Sequence, residues 1–254
     1  MNLVFASGFL FPQKILSVAY FRGLQEAFPG SCFPAVPPSG SIEVRANALA
    51  QAVTSFQFPD PGAPIHIIAH SMGGLDARYA LHKNISGLAG RVASLSTIAT
   101  PHHGSPIADF LVGAAPGVLD IRRVVYETLR HALGDLGIEA GALGNLTTDY
   151  AAQFNQAHPD IGSIPCYCYA GNGVESYVMR PLHLYIEHRG QSEQEKANDG
   201  LVSVASASWK PLVEDPWPTD HFGEVGHSLN PPAFTPTFRH LEAFRRVVEK
   251  AQRG

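Results

Sequence analysis

Charge is scarce in this chain. Asp, Glu, Lys and Arg make up 16% of its 254 residues, and the formal net charge is −4. Lys and Arg form nothing larger than pairs such as Arg122-Arg123 and Arg245-Arg246, so the basic stripe of a nucleic-acid partner is lacking. Three cysteines are too few for a multi-bridge disulfide framework. Cys166 and Cys168 lie two apart in a strand-like run, on one face and poorly placed to bridge each other. Buried free thiols are expected. No run approaches the roughly 20 apolar residues that span a bilayer. Residues 1–10 are apolar but have no basic region before them and reach the Ser7-Gly8 turn at once. They read as a first core strand and not as a signal peptide. There is no internal repeat and no low-complexity segment.

What is present is apolar material and turns. Hydrophobic residues make up 45%, and 24 Gly and 20 Pro are spread among the apolar runs. The length suits one α/β domain, residues 1–254, with a loop insertion. Residues 3–6 form a short buried-strand run, and 17–28 carry Val18, Phe21, Leu24, Gln25 and Phe28 at helical spacing. Residues 32–36 are a second strand candidate. Ser41 opens a helix whose inward face is expected to be Val44, Ala48, Leu49, Ala52 and Val53. An apolar strand over 65–69, a helix over 72–82 and a strand over 92–99 follow. Strand and helix therefore alternate through the first hundred residues, which predicts a mostly parallel sheet with helices on both faces.

The rhythm breaks after Pro101. Between 113 and 144 there is no strand signal but one amphipathic helix, with Ile121, Val124, Val125, Leu129 and Leu133 on one face and glycines on either side. This stretch is expected to be a helical lid inserted into the domain. Asn145 or Thr147 then caps a helix to about residue 157. Residues 164–170 and 201–205 read as strands, and Phe238, Leu241, Phe244 and Val248 mark a C-terminal helix.

The chemistry is concentrated in Ala69-His70-Ser71-Met72-Gly73. An apolar strand runs into small-x-Ser-x-Gly and then into a helix, the context of a nucleophile elbow. The serine must sit on a strained turn to project its hydroxyl. Small residues are needed two places before and after it, where strand and helix backbones pass closely. Free N–H groups at the helix start offer positive potential to an oxyanion. A serine hydroxyl needs a histidine base oriented by a carboxylate, in the chain order Ser, acid, His on such a fold. Among the later histidines, a loop after the last strands leaves His221 and His227. For the acid, Asp199 sits in a Gly-containing turn beside a strand candidate, while Asp149, Asp160, Asp215 and Asp220 are less well placed. His102-His103, adjacent on an extended chain, point apart and make a poor metal pair. His66 and His70 read as core residues, and Arg45 as a buried hydrogen-bonding strut.

Several segments together resemble the bacterial true-lipase family of the Pseudomonas and Burkholderia type, within the α/β-hydrolases. They are the elbow and its helix to Tyr79, then Thr97-Ile98-Ala99-Thr100-Pro101-His102-His103-Gly104-Ser105 with Ala108-Asp109-Phe110, Asn198-Asp199-Gly200-Leu201-Val202, and Asp220-His221-Phe222-Gly223-Glu224-Val225. The resemblance is weakest over 113–144 and 172–197. It implies the α/β-hydrolase fold and assigns Asp199 and His221 to the triad with Ser71. It implies an oxyanion hole of the Met72 and Phe9 N–H groups, with Ser7 standing where the family has histidine.

The expected activity is hydrolysis of hydrophobic acyl esters through an acyl-enzyme, at a lipid–water interface where the lid applies and with no cofactor. Polyester depolymerisation or acyl transfer would use the same triad. A non-catalytic lipid-binding homologue is the alternative of another class. The family binds a structural Ca²⁺ through an aspartate two residues after its catalytic histidine. Here that position is Gly223, and a glutamine position holds His227. The expectation is no metal, with the histidine loop held by Glu224 accepting backbone N–H bonds and by the 216–218 segment.

Overall fold

The computed structural model describes residues 1–9, 14, 15, 18–38, 40–113, 140–228 and 237–254. Four strands, β1 (Asn2–Ala6), β2 (Ile65–His70), β3 (Val92–Ile98) and β4 (Cys166–Tyr169), lie side by side in that order, all parallel. Helices occupy both faces, so each strand is buried along nearly its whole length instead of alternating between buried and exposed. Val4, Ala6, Ile65, Ile67, Ala69 and Leu95 face one layer, whereas Leu3, Phe5, Ile68 and Ile98 face the other. This is the α/β-hydrolase architecture. Cys32 bridges the outer edge of β1, while Leu212 and Trp217 bridge beside β4 and its continuation at Gly171.

Helix α1 (Ile42–Ser55) starts at Ser41, whose hydroxyl accepts the N–H of Val44. Helix α2 (Met72–His82) follows β2, and the two helices pack together on one face with Leu49, Val53, Ala77 and Leu81 in the core. Helix α3 (Pro106–Gly113), the short α4 (Ala140–Gly144) and α5 (Thr148–Ala157) follow β3, with Thr147 capping α5. Helix α6 (Arg180–Arg189) packs against α3. The C-terminal α7 (His240–Arg253) buries Phe244, Val247 and Val248 against the opposite face of the sheet. Among the described residues, no helix is long and apolar enough to cross a membrane, and all three cysteines are free.

Three expectations are corrected. The helix over 17–28 shrinks to the single turn Leu24–Ala27, because Gly23 takes a left-handed φ of 72° and ends the preceding segment. The inward face of α1 is Ile42, Arg45, Ala46, Leu49, Ala50 and Val53, while Val44 is half exposed. Residues 201–205 form no strand. Asp199 accepts the N–H groups of Leu201 and Val202, Gly200 takes φ 93°, and Ser203 caps the helical turn Val204–Ala207. Side-chain bonds to the local backbone thus outcompete the apolar pattern. The amphipathic run 121–133 lies outside the described residues. Its described flanks, α3 and α4, pack against each other.

Candidate active site

Ser71 is the single residue between β2 and α2, at φ 55° and ψ −136°. Such a backbone costs about 1–3 kcal/mol and persists only where its surroundings enforce it. Here the Ser71 N–H donates to the carbonyl of Ile98 at 2.9 Å, and the Thr100 hydroxyl donates to the Ser71 carbonyl at 2.8 Å. A β-carbon on Gly73 would meet the carbonyl oxygens of Ala6 and Ser7 at 2.7 Å, so the helix can follow the strand this tightly only with glycine there. Met72, first residue of α2, has an N–H with no acceptor within its own helix.

His221 and Asp199 meet across 22 residues of chain, with His221 Nδ1 2.8 Å from Asp199 Oδ2. The carboxylate can only accept, so Nδ1 carries the proton and Nε2 keeps its lone pair. Asp199 is fully buried and His221 nearly so. His227 is engaged elsewhere, its Nε2 lying 3.0 and 2.9 Å from the carbonyls of Ala19 and Tyr20. Asp220 accepts the N–H groups of Ser176, Phe222 and Gly223.

Ser71 and His221 line one cavity that opens to solvent. Apart from Ser105 and the histidines its walls are largely apolar, with Ile107, Ala108 and Leu111 from α3, Leu143 and Leu146 from the α4 region, and Leu201, Phe222 and Val225 opposite. Phe9 also lines it, and its ring packs between the apolar clusters of α3 and α6 on one side and of α2 and α5 on the other. Gly8 lies against Ser71: a β-carbon there would sit 3.1 Å from Ser71 Oγ.

No family model matches the sequence. A triacylglycerol lipase of Saccharomyces cerevisiae is 32% identical over 181 residues, covering 68% of this chain and 51% of that protein. The chain therefore spans about half the length of that relative. A triacylglycerol lipase of Pseudomonas fragi is 25% identical over 250 residues, covering 84% of each chain. Among solved structures, a mature Bacillus licheniformis lipase superposes with a TM-score of 0.72 at 18% identity, covering 98% of this chain and 91% of the other. This chain is an α/β-hydrolase related to the triacylglycerol lipases.

In this lipase relative, the loops beside Ser71 are braced from behind. Arg45 is fully buried and donates to Asp76 at 2.9 Å, to the carbonyl of Pro37 at 2.7 Å, and to those of Ser7 and Gly8 at 2.9 and 3.0 Å. Every nitrogen of the guanidinium is used, and the Ser7-Gly8 loop is tied to α2 through Asp76. Arg78 plays a similar part on the other side. It donates to His102 Nδ1, Asn155 and the His158 carbonyl, and lies 3.8 Å from the centre of the Trp209 ring.

The histidine loop is held differently from expectation. Asp220, not Glu224, accepts its backbone N–H groups. The 216–218 segment does contribute, since Trp217 exchanges backbone bonds with Ala170 and Asn172. A β-carbon on Gly223 would collide with the Thr219 hydroxyl, so an aspartate there would require the Thr219 side chain to move. Glu224 instead turns inward to His70, Oε2 to Nε2 at 2.8 Å, and His70 Nδ1 lies 2.6 Å from the Tyr20 hydroxyl. His70, His221 and Glu224 bring ligating atoms within 4.8 Å of one another, but these atoms are already paired in hydrogen bonds. The sequence reading took His70 for a core residue and, although 20–24 weakly resembles the lipase family, gave Tyr20 no role. The local signal was a histidine placed directly before Ser71.

Proposed function

We propose that this protein is a serine carboxylic ester hydrolase that cleaves hydrophobic acyl esters, in the manner of a lipase or esterase, through an acyl-enzyme. The observation that carries the reading is the His221–Asp199 pair, with Nε2 left as a base, on the wall of an apolar cavity that also holds Ser71. In this reading His221 takes the Ser71 proton as Oγ attacks the ester carbonyl. The N–H groups of Met72 and Phe9 receive the oxyanion, and Asp199 stabilises the imidazolium. His221 then protonates the departing alcohol and activates a water that releases the acid. The substrate for which those relatives are named, triacylglycerol, suits walls built from Ile107, Leu111, Leu143 and Leu146. We further propose that 113–144 acts as a lid, since its flanks α3 and α4 both supply cavity residues.

The test is hydrolysis of p-nitrophenyl esters from acetate to palmitate by the wild type and by Ser71→Ala. Loss of roughly 10³-fold or more in a folded variant is expected. Retained hydrolysis would overturn the assignment of Ser71.

A further inference from the structure

We infer that Tyr20, His70 and Glu224 are positioning residues, forming a buried hydrogen-bonded chain from Gly8 to Asp199 in which Glu224 donates its carboxyl proton to Asp199. The inference rests on the reading of Ser71, Asp199 and His221 given above.

The direction of each bond follows from counting protons. The Gly8 backbone lies against the Tyr20 oxygen, and the Tyr20 hydroxyl gives its proton to His70 Nδ1 at 2.6 Å. A neutral His70 then carries its proton on Nε2 and donates to Glu224 Oε2 at 2.8 Å. Glu224 Oε1 is fully buried and has no donor aimed at it, and the Asp199 side chain lies beside it. Two buried carboxyl groups this near are accommodated with a proton between them. Asp199 already receives Leu201 and Val202 N–H on Oδ1 and His221 Nδ1 on Oδ2, so it is the ionised partner. Burial, with Asp199 and Asp220 close by, raises the Glu224 carboxyl well above the usual range. Burial, with His221 and His227 facing it, lowers His70 well below its ordinary value. The buried set therefore carries one negative charge instead of two, which avoids the cost of adjacent carboxylates.

The chain closes a ring around the nucleophile. One end, Gly8, belongs to the loop that presents the Phe9 N–H. The other end, Asp199, orients His221. The rings of His70 and His221 also touch, with centres 4.6 Å apart. A break in the middle should disturb the base and the oxyanion loop together while leaving the acyl cavity intact. Its effect belongs in kcat and not in KM.

The experiment compares Glu224→Gln, Glu224→Ala and Tyr20→Phe on one medium-chain p-nitrophenyl ester, with circular dichroism and melting temperature to establish folding. A glutamine can donate to Asp199 and accept from His70 in the same sense as a protonated Glu224. Glu224→Gln should therefore keep kcat within about threefold of wild type. Glu224→Ala and Tyr20→Phe should lower kcat by about tenfold and fivefold, with KM within twofold. A folded Glu224→Gln enzyme that has lost tenfold or more in kcat would overturn the inference, because charge would then be what matters. So would wild-type kcat in Tyr20→Phe. If Glu224→Ala does not fold, the other two variants still decide. Ser71→Ala and Asp199→Asn are run in parallel. If they remain active the functional reading fails, whereas if they are inactive and Glu224→Gln is also inactive only this inference fails.

Discussion

Gly8 and Ser71 approach so closely that a β-carbon on Gly8 would stand 2.6 Å from Cβ of Ser71 and 2.7 Å from the Tyr20 hydroxyl. Such contacts are far inside van der Waals distance, and neither neighbour is the free end of a flexible chain. Gly8→Ala should displace the loop that carries Phe9 from the nucleophile. A drop of about 100-fold in kcat/KM is expected on short and long p-nitrophenyl esters alike. Unchanged rates would mean that the Phe9 N–H takes no part.

Arg45 joins stability to geometry, and the two can be separated. Arg45→Met strands the buried Asp76 carboxylate, whose pKa burial already pushes up to about 6 against the pull of Arg45. Removing one partner of such a pair costs about 3–5 kcal/mol. Arg45→Met with Asp76→Leu should recover most of the melting temperature. It should not recover activity, since the carbonyls of Ser7 and Gly8 still lack their donor. Recovery of both by the double variant would show that the strut does nothing for the loop.

These two sites show what the sequence carried and what it did not. The elbow was legible because strand, serine and helix are contiguous, so its constraints act within about ten residues. Asp199 was singled out by its Gly-containing turn together with the resemblance of 198–202, although the adjoining Leu201-Val202 read as strand, whereas the Asp199 carboxylate claims their N–H groups. Arg45 was read as a buried strut, and its partner Asp76 lies 31 residues away; the face of α1 was misread at Val44, which is half exposed, because local periodicity does not record which neighbours a helix meets. The pairing of His70 with Glu224 spans 154 residues and lay beyond any pattern in the chain.

His102 gives a pH dependence of defined sign. Arg78 donates to its Nδ1, and burial, with Arg78 beside it, lowers its pKa well below the ordinary 6.5. Above pH 6.5 both folded and unfolded chains hold it neutral, so it contributes no slope. Below 6.5 the unfolded chain gains a proton that the folded chain refuses, and stability falls as the pH falls. The difference in unfolding free energy between wild type and His102→Gln isolates this group from the others that titrate. Well below pH 6.5 it should move against the wild type by about 1.4 kcal/mol per pH unit. Urea unfolding at pH 8, 7, 6 and 5 would measure it, and a flat difference would mean that His102 takes up its proton in the folded protein as readily as in the unfolded chain.

Calcium removal tests how the histidine loop is held. With Asp220 binding three backbone N–H groups and glycine, not a carboxylate, at position 223, dialysis against EDTA should leave ester hydrolysis and melting temperature unchanged. A fall of many degrees that Ca²⁺ reverses would show that a cation shares the task.

The chain's two tryptophans happen to sit at two different supports of the site. Trp217, buried beside Phe244 and Phe238 with its ring N–H given to Glu214, lies on the strand-like segment that leads into the histidine loop. Trp209 covers the Arg78 guanidinium on the far side of the sheet. With Trp209 changed to Phe, the remaining indole becomes a built-in fluorophore for the His221 loop. Its emission maximum then reads, without any label, whether that loop keeps its packing when an ester or a phosphonate inhibitor occupies Ser71.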